Sequence, residues 1–258
     1  MPGRMITRLY RYPVKGFSAE ALDAVELIAQ DGIAGDRQYA IARAPGSFDI
    51  DEPRAVPKSK FIVLLRDAAI AALKTSYDPP SETLAVVKPA GDSFRAQLAT
   101  RDGRAALETF IKAYLDDQKL EPRVVSAAGH KFTDISVVSQ SRMRAVSLVN
   151  LASIRALEAA TGKAIHPLRF RANIYVDGLP AWQEFDWVGK DIQIGAAKAS
   201  VVMRTKRCGA TDVDPETAQR DLSVPALIKR HFGHYDMGVY AEISATGMAA
   251  IGDPVLRS

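Results

Sequence analysis

Short segments rich in β-branched and aromatic residues, separated by turn residues, fill the beginning of the chain. These segments are MITRLYRYPV (5–14), ALDAVELIA (21–29), RQYAIARA (37–44) and FIVLL (61–65). Glycine, proline and aspartate, which favour turns, stand between them, as in QDGIAGD. Short strands at this spacing predict a barrel or a sandwich.

Helical patterns interrupt the strands at a few places. In GRAALETFIKAYLDD (103–117), apolar residues recur at i, i+3, i+4, i+7 and i+8, which predicts an amphipathic helix. We expect further helices at 67–74, 150–162 and 223–233. Asn150 and Ser223 are the expected N-caps of the last two, and Gly162 is an expected C-terminal stop. The fold class is therefore α+β and rich in β-structure.

The second half of the chain returns to strand patterns. We expect strands at 145–149, 171–178 and 188–205, and a pair of strands within 238–255. The polar stretch 117–142 separates them from the first half, although it has no true linker composition. We therefore divide the chain into an N-terminal domain, 1–122, and a C-terminal domain, 123–258.

Cysteine usage limits the classes of protein that this chain can belong to. One cysteine in 258 residues excludes an internal disulfide, and it excludes a four-cysteine zinc or iron–sulfur site. Nothing indicates secretion, because MPGRMITRLYRYPVKG lacks the apolar run of a signal peptide or membrane span. We therefore expect a cytoplasmic protein in a reducing compartment.

The charge balance indicates the kind of ligand more than the kind of fold. Lys and Arg exceed Asp and Glu by 34 to 30, which is compatible with an anionic ligand. No basic block with interleaved aromatic residues is visible, so we do not expect a nucleic-acid partner.

The single cysteine, Cys208, stands in an unusual setting. Arg204, Lys206 and Arg207 precede it, and nearby cations favour a thiolate, which is both a nucleophile and a ligand for soft metals. Thr211 follows closely and offers a hydroxyl and an N–H to an anion. The segment 204–221 therefore has the composition of the rim of a site.

Three chemistries could use this thiolate. A cysteine nucleophile needs a histidine base, and sequence cannot place any of the four histidines against Cys208. A persulfide carrier needs only a nucleophilic thiolate with access to it. A single sulfur–metal bond suits a metal whose other ligands arrive on a cofactor. Spacing alone leaves all three open.

Two motifs resemble a known family. RCGATDVDPETAQRD, together with FRANIYVDG (170–178), resembles the MOSC domain, the C-terminal domain of molybdenum cofactor sulfurases. Residues 9–42 resemble the β-barrel domain that precedes it in the mitochondrial amidoxime-reducing components and their bacterial relatives. The closing 238–255 resembles the family's terminal strand pair. The resemblance implies an N-terminal β-barrel-like domain followed by a MOSC β-barrel domain with a few helices.

The resemblance also implies a molybdenum cofactor, Mo-molybdopterin, with Cys208 as the protein ligand to the metal and the catalytic residue. The matching family positions imply these cofactor contacts: Lys15, Gly16, Arg37, Arg171, Asn173, Lys206, Arg207 and Thr211. Two positions depart from the family pattern. Gly16 replaces a serine, so one hydroxyl contact is missing or is supplied by backbone, and Gly209 replaces a bulkier residue, which we expect to widen the approach for substrate.

The function that the resemblance implies is the reduction of N-hydroxylated or N-oxide compounds, with electrons from a separate ferredoxin- or flavin-type protein. The alternative is sulfur transfer, or carriage of the cofactor, by a protein that uses Cys208 as a persulfide or a ligand. Pyridoxal phosphate is not expected, because no lysine is identifiable as a Schiff-base former.

Overall fold

The computed structural model describes residues 4–257 of the protein. The strands are β1 (Met5–Arg11), β2 (Glu20–Leu22), β3 (Ala24–Ile28), β4 (Gly32–Ile33), β5 (Ala40–Ala42), β6 (Lys74–Asp78), β7 (Thr83–Val87), β8 (Ser93–Gln97), β9 (Arg123–Val125), β10 (Val146–Asn150), β11 (Ile174–Asp177), β12 (Asp191–Ile194), β13 (Ala197–Lys206), β14 (Asp236–Ala245), β15 (Gly247–Ala250) and β16 (Val255–Arg257). Within the described residues, the α-helices are α1 (Arg101–Leu115), α2 (Leu151–Thr161) and α3 (Val224–Phe232). Short 3-10 helices lie at Lys58–Lys60, Ala68–Ala72, Ile135–Val137, Gln140–Arg142, Pro167–Phe170, Gln183–Trp187 and Gly209–Asp212.

One large sheet organises the fold. Its strand order is β16-β12-β13-β14-β10-β11-β1-β2, and every neighbouring pair is antiparallel except β10 and β11. The first strand of the chain therefore lies beside a strand of the C-terminal half, with Leu9 opposite Ile174. A second link joins β3 to β15, where Val25 lies opposite Ala249. These pairings bring the segment that follows β1 next to the residues that precede β11.

The large sheet is buried on both faces. Ile6, Leu148, Val201 and Val239 belong to one apolar cluster. Val149 and Tyr175 belong to another, in which α2 and α3 contribute Ile154, Leu157, Val224 and Ile228. Every residue of β10 is buried, as expected for a central strand with both faces covered.

The N-terminal half has its own apolar cluster. The meander β6-β7-β8 and helix α1 contribute Leu84, Val86, Leu107 and Ile111 to it. The sequence predicts α1 but not the meander, because no motif marks the strands between residues 74 and 97. A two-stranded sheet, β5-β9, completes this half.

The main helix predictions are confirmed, with one change of cap. Asn150 caps α2 by accepting a hydrogen bond from the Ala152 N–H at 3.0 Å, and Gly162 ends it in the left-handed conformation. Helix α3 is present, but Ser223 makes no side-chain cap. The Asp212 carboxylate instead accepts from the first N–H of the helix, that of Val224, at 2.8 Å.

Two short elements were predicted wrongly. Residues 67–74 form only a 3-10 helix that leads directly into β6. FIVLL (61–65) is not a strand and makes a single bridge, between Phe61 and Ala42, before the chain turns. Residues 61–64 are buried, as are Ile70, Ala71 and Leu73 of the other segment, and short apolar runs do not reveal their backbone conformation.

The expected α+β, β-rich class is confirmed. Among the described residues, no helix combines the length and the apolar character that crossing a bilayer requires.

The large sheet sets a steric requirement at Gly238. A Cβ atom there would lie 2.2 Å from the Leu148 carbonyl oxygen of the neighbouring strand. Gly233 has the same φ of +79°, with nothing within 4 Å of its Cβ position. We expect Gly233→Ala to lower the free energy of unfolding by about 1 kcal/mol, from backbone strain alone.

Gly238→Ala adds a clash between the new Cβ atom and the Leu148 carbonyl oxygen. We therefore expect it to lower the free energy of unfolding by several kcal/mol more than Gly233→Ala does. Urea unfolding followed by circular dichroism measures both variants. Equal losses of unfolding free energy in the two variants would show that β10 and β14 can move apart at Gly238.

Candidate functional site

A cavity of about 530 Å³ lies where β13 ends. All nine of the residues that the sequence analysis assigned to a site line it: Lys15, Gly16, Arg37, Arg171, Asn173, Lys206, Arg207, Cys208 and Thr211. Ser147 and Tyr240, from the large sheet, also line it. The pairing of β1 with β11 brings these residues together, although they come from distant parts of the sequence.

Cys208 follows the end of β13 and precedes the 3-10 helix Gly209–Asp212. The backbone N–H and the hydroxyl of Thr211 both donate to the Cys208 carbonyl, at 3.0 and 2.9 Å. These two bonds fix the turn that carries the thiol. The Cys208 side chain is partly buried, and its Sγ accepts a hydrogen bond from Lys58 Nζ at 3.0 Å.

Lys58 is a site residue that sequence reasoning missed. It lies in the 3-10 helix Lys58–Lys60, 150 positions before Cys208, and no local pattern connects the two. Burial would lower the pKa of Lys58, but the Asp134 carboxylate and the Cys208 sulfur outweigh it, so the pKa is raised. The ammonium therefore stays charged beside the sulfur.

Lys15 and Lys58 share Asp134. Lys15 Nζ donates to an Asp134 oxygen at 2.6 Å and to the Phe132 carbonyl at 2.9 Å, while Lys58 Nζ lies 3.9 Å from the other Asp134 oxygen. Burial lowers the pKa of Lys15, and Asp134 opposes that change. Partial burial would raise the pKa of Asp134, but Lys15 and Lys58 outweigh it and hold that pKa below its usual range.

Arg37 and Arg171 both approach the ring of Tyr12, each with its guanidinium carbon 4.6 Å from the ring centroid. Arg37 bonds Asp36 at 2.5 Å and the Arg171 carbonyl at 3.0 Å. Arg171 donates to the Phe17 carbonyl at 2.7 Å. Burial lowers the pKa of Arg171, whereas Asp36 outweighs burial at Arg37 and raises its pKa.

The predicted strand 171–178 begins later than expected. Arg171 has a φ of +50° at the end of a 3-10 helix, and β11 starts only at Ile174. Arg171 and Asn173 therefore both lie before the first residue of the strand. A turn brings Arg171 to the cavity.

Asn173 is engaged by the protein itself. Its Oδ1 accepts from the N–H and the hydroxyl of Ser147, at 3.1 and 3.0 Å. Its Nδ2 donates to the Tyr10 carbonyl at 3.2 Å. These bonds tie β1, β10 and the start of β11 together, so the amide positions the cavity wall. A contact from Asn173 to a cofactor stays a prediction.

Arg207 and Lys206 differ in their surroundings. Arg207 donates to the carbonyls of Met237 and Phe170, and burial lowers its pKa. The Lys206 side chain is exposed, with its Nζ 5.6 Å from the ring centroid of Tyr235. Arg207 is therefore a fixed charge in the wall, whereas Lys206 extends along the outer rim.

The two glycines that depart from the family pattern have local explanations. Gly16 has a φ of +88°, and a Cβ there would lie 2.9 Å from the Ile62 carbonyl oxygen, so serine does not suit this backbone. At Gly209, a Cβ would lie 3.3 Å from Leu65 Cδ1. The Asp212 carboxylate lies at the same distance, so a larger residue 209 would require both side chains to shift by a few tenths of an ångström. The wider approach for substrate stays a prediction.

Thr205 is a second residue that the sequence did not reveal. It is 2% exposed, lines the cavity, and its hydroxyl has no hydrogen-bond partner within residues 4–257. Buried hydroxyls are normally paired, so this one is suited to a ligand in the cavity. A threonine in a strand is common, which is why the sequence alone gave no sign of it.

Positive charge dominates the cavity wall. Its lining residues include the cations Lys15, Arg37, Lys58, Arg169, Arg171, Arg204, Lys206 and Arg207. Among the described lining residues, Asp134 is the only one with an acidic side chain. Arg169 is neutralised by Asp214 and Asp221, at 2.8 and 2.7 Å. The remaining excess of cations favours an anionic ligand.

The aspartates that follow Cys208 accept hydrogen bonds from backbone N–H groups. Asp214 accepts from the N–H groups of Glu216 and Thr217, each at 2.9 Å, and so closes a turn. The part of the chain that the structure describes holds no group of three or more His, Cys, Asp or Glu side chains arranged for a metal ion.

Comparison with known families defines the class. The family model "MOSC N-terminal beta barrel domain" matches residues 3–122, and the model "MOSC domain" matches residues 134–256. Together they cover nearly the whole chain, so the protein belongs to the MOSC family.

Particular relatives are distant. Mitochondrial amidoxime-reducing component 1 of Xenopus laevis is 22% identical over 98% of this chain and 82% of its own length. Molybdenum cofactor sulfurase of Homo sapiens is 24% identical over 98% of this chain, which corresponds to 32% of that longer protein. The solved structure of the YUAD protein from Bacillus subtilis is 14% identical, covers 99% of this chain and 97% of that one, and has a TM-score of 0.43.

The depressed pKa of Asp134 predicts a pH-dependent contribution to stability. Because the unfolded chain binds this proton more tightly, the contribution is present above about pH 4 and is lost as the pH falls through the lower folded pKa. We expect Asp134→Asn to lower the free energy of unfolding by about 1–2 kcal/mol at pH 7, since the carboxylate is half open to solvent.

The loss of unfolding free energy caused by Asp134→Asn should be smaller at pH 3, where the ion pair contributes less in the wild-type protein. Asp51→Asn, at an exposed position, is the control and should change little at either pH. A loss of the same size at both values would contradict the ion-pair assignment.

The Lys58 contact predicts the reactivity of the thiol. Removing the ammonium with Lys58→Met should slow alkylation of Cys208 by iodoacetamide at pH 7.5 severalfold, because the cation favours the reactive thiolate. Lys60→Met, two positions along the same 3-10 helix but exposed, is the matched control. Equal rates in both variants would show that Lys58 does not influence the sulfur.

Proposed function

We propose that the protein is a molybdenum-cofactor oxidoreductase that reduces N-hydroxylated or N-oxide compounds with electrons from a separate protein. The observation that carries this proposal is the position of Cys208, the only cysteine, at a cationic cavity in a MOSC domain. The relatives named amidoxime-reducing components support the same reaction class.

The residues present fit an anionic organic cofactor. A volume of about 530 Å³ is in the usual range for cofactor and small-molecule sites. The hydroxyl of Thr205 is buried without a partner and is available to a polar ring or a phosphate. Burial lowers the pKa of Arg171 and of Arg207, so an anion close to either would relieve the cost of burying their charges.

Each group has a distinct role in holding such a cofactor. The sulfur of Cys208 is the ligand to the metal, and Lys58 keeps a positive charge beside it. Arg37 and Arg171, fixed against Tyr12, are the contacts for the phosphate or the pterin. Lys15 also lines the cavity, with its ammonium held by Asp134. Thr211 holds the turn that orients the sulfur.

A bound molybdenum centre would supply two-electron, oxygen-atom-transfer chemistry at Cys208. The overall reaction balances as R–NH–OH + 2 H⁺ + 2 e⁻ → R–NH₂ + H₂O, with the electrons from the donor protein and the protons from solvent. The protein also offers apolar surface to a substrate, because Leu65, Val137, Val138 and Met203 line the same cavity. We infer that these side chains contact the organic part of the N-hydroxylated compound.

The decisive test compares the wild-type protein with Cys208→Ala, both produced in a host that makes the cofactor. Metal analysis and pterin fluorescence measure loading, and reduction of a hydroxylamine by a chemically reduced dye measures activity. We expect about one molybdenum per wild-type chain. In the variant we expect loss of the metal, or at least about a hundredfold loss of activity, because one thiolate is the protein's bond to it.

Circular dichroism should show that the variant stays folded, since Cys208 lies at a partly buried turn rather than in an apolar cluster. Full activity in a folded Cys208→Ala protein would overturn the assignment of Cys208 as metal ligand.

A second candidate is sulfur transfer, in which Cys208 carries a persulfide. The match to a protein named molybdenum cofactor sulfurase and the free thiol beside Lys58 favour it. Wild-type protein that binds neither molybdenum nor pterin, but whose Cys208 thiol takes the outer sulfur of a donor persulfide and releases the donor as a thiol, would favour this function over reduction.

A further inference from the structure

A group of exposed cations surrounds Tyr235 on the outer surface beside the cavity. We name this group the Tyr235 patch, and its charged members are Lys206, Lys229 and Arg230. The ammonium groups of Lys206 and Lys229 lie 5.6 and 5.5 Å from the Tyr235 ring centroid. Tyr235 itself is 41% exposed, so an aromatic ring and several charges share one accessible surface.

The charges of the patch are not neutralised within the fold. Within residues 4–257, none of its three cations forms an ion pair, whereas Arg11 and Arg155 on other surfaces do. Lys229 also donates to the Gly233 carbonyl at 2.7 Å, which leaves its charge uncancelled. Asp236, opposite Lys206 in the strand register, and Asp212, which caps α3, are the acidic residues close by. Three cations against two carboxylates leave the patch positive.

The patch is continuous with the turn that carries Cys208. The Arg207 N–H donates to the Tyr235 carbonyl at 2.8 Å. Gly209, the residue after Cys208, lines a surface hollow together with Lys229, Arg230 and Tyr235. A protein bound on the patch would therefore lie against Gly209, the residue directly after Cys208.

We propose that the Tyr235 patch is the docking surface for an acidic electron-carrier protein. This inference rests on the proposed function, because the reductase consumes two electrons per turnover that another protein must deliver. Unpaired surface cations attract an oppositely charged partner from a distance and orient its approach. An exposed tyrosine among them is typical of the residues that contribute most to binding energy.

The test variant is Lys229→Glu/Arg230→Glu, which reverses the patch without touching a residue assigned to the cavity. The matched control is Lys119→Glu/Lys163→Glu, the same change of charge at exposed positions elsewhere. Since the patch substitutions oppose the dipole at the end of α3, Lys229→Gln/Arg230→Gln is a milder second variant.

The probe is a plant-type two-iron ferredoxin, an acidic carrier. Its binding to the full-length protein is measured by calorimetry at low and high salt, and its electron delivery by hydroxylamine reduction. We expect reversal to weaken binding and to lower kcat/KM for ferredoxin at least about tenfold at low salt, with a flatter salt dependence. The Lys229→Gln/Arg230→Gln variant should give a ferredoxin affinity and a kcat/KM between those of wild type and of the charge-reversed variant. The control variant should match wild type in both. The rate with the chemically reduced dye should be unchanged in every variant.

Three results would overturn the docking proposal: wild-type protein that does not bind ferredoxin, binding that the patch variants leave unchanged, or an equal loss in the control. Because binding needs no turnover, these results do not depend on the reductase assay. A wild-type protein that binds ferredoxin through the patch but reduces no hydroxylamine, even with the dye, would overturn the proposed function and leave the docking surface supported.

Discussion

The pairing of β1 with β11 is the constraint on which the rest of the structure depends. The Tyr10 N–H donates to the Asn173 carbonyl at 2.8 Å, and the Asn173 side chain donates back to the Tyr10 carbonyl while holding Ser147. These bonds seat the first strand of the chain in a sheet built mostly from its second half. The turn after β1 then places Lys15 at the cavity. Arg37 is held beside it, because its backbone N–H donates to the Tyr12 carbonyl at 2.7 Å. Without this pairing there would be no common cavity.

Electrostatics explains why the cavity walls are built as they are. Buried cations are costly. The fold pairs Lys15 with Asp134 and Arg37 with Asp36, but it offsets the burial of Arg171 and Arg207 with backbone carbonyls. Arg171 bonds the Phe17 carbonyl, and Arg207 bonds those of Met237 and Phe170. Carbonyl dipoles hold the guanidinium groups in place but leave their net charge uncancelled. The result is a wall that is rigid before any ligand arrives and that an anion would stabilise, which is what a pre-organised site requires.

A substantial part of the site could be predicted from the sequence. The motif around Cys208 and the basic residues at 15, 37, 171 and 207 were identified from residue type and family pattern, and all of them line one cavity. Lys58, Asp134 and Thr205 were not identified. Lys58 and Asp134 act only through partners more than 70 positions away, and a buried threonine without a partner cannot be distinguished from an ordinary strand residue. Arg171 was identified correctly but placed on a strand, because a single residue in the left-handed conformation leaves no periodic signal.

The sequence by itself determined the local elements whose signals are periodic or capped, such as α1 and α2, together with the β-rich class and the chemistry that one cysteine among cations permits. The tertiary structure alone decided that Lys58 faces the sulfur, that Asp134 links two lysines, and that Asp212 rather than Ser223 caps α3. The physical reason is the range of the interactions. Side-chain periodicity and capping act between residues a few positions apart and are therefore written in the local sequence. Contacts in the cavity depend on which strands pair, and that choice is a property of the whole chain.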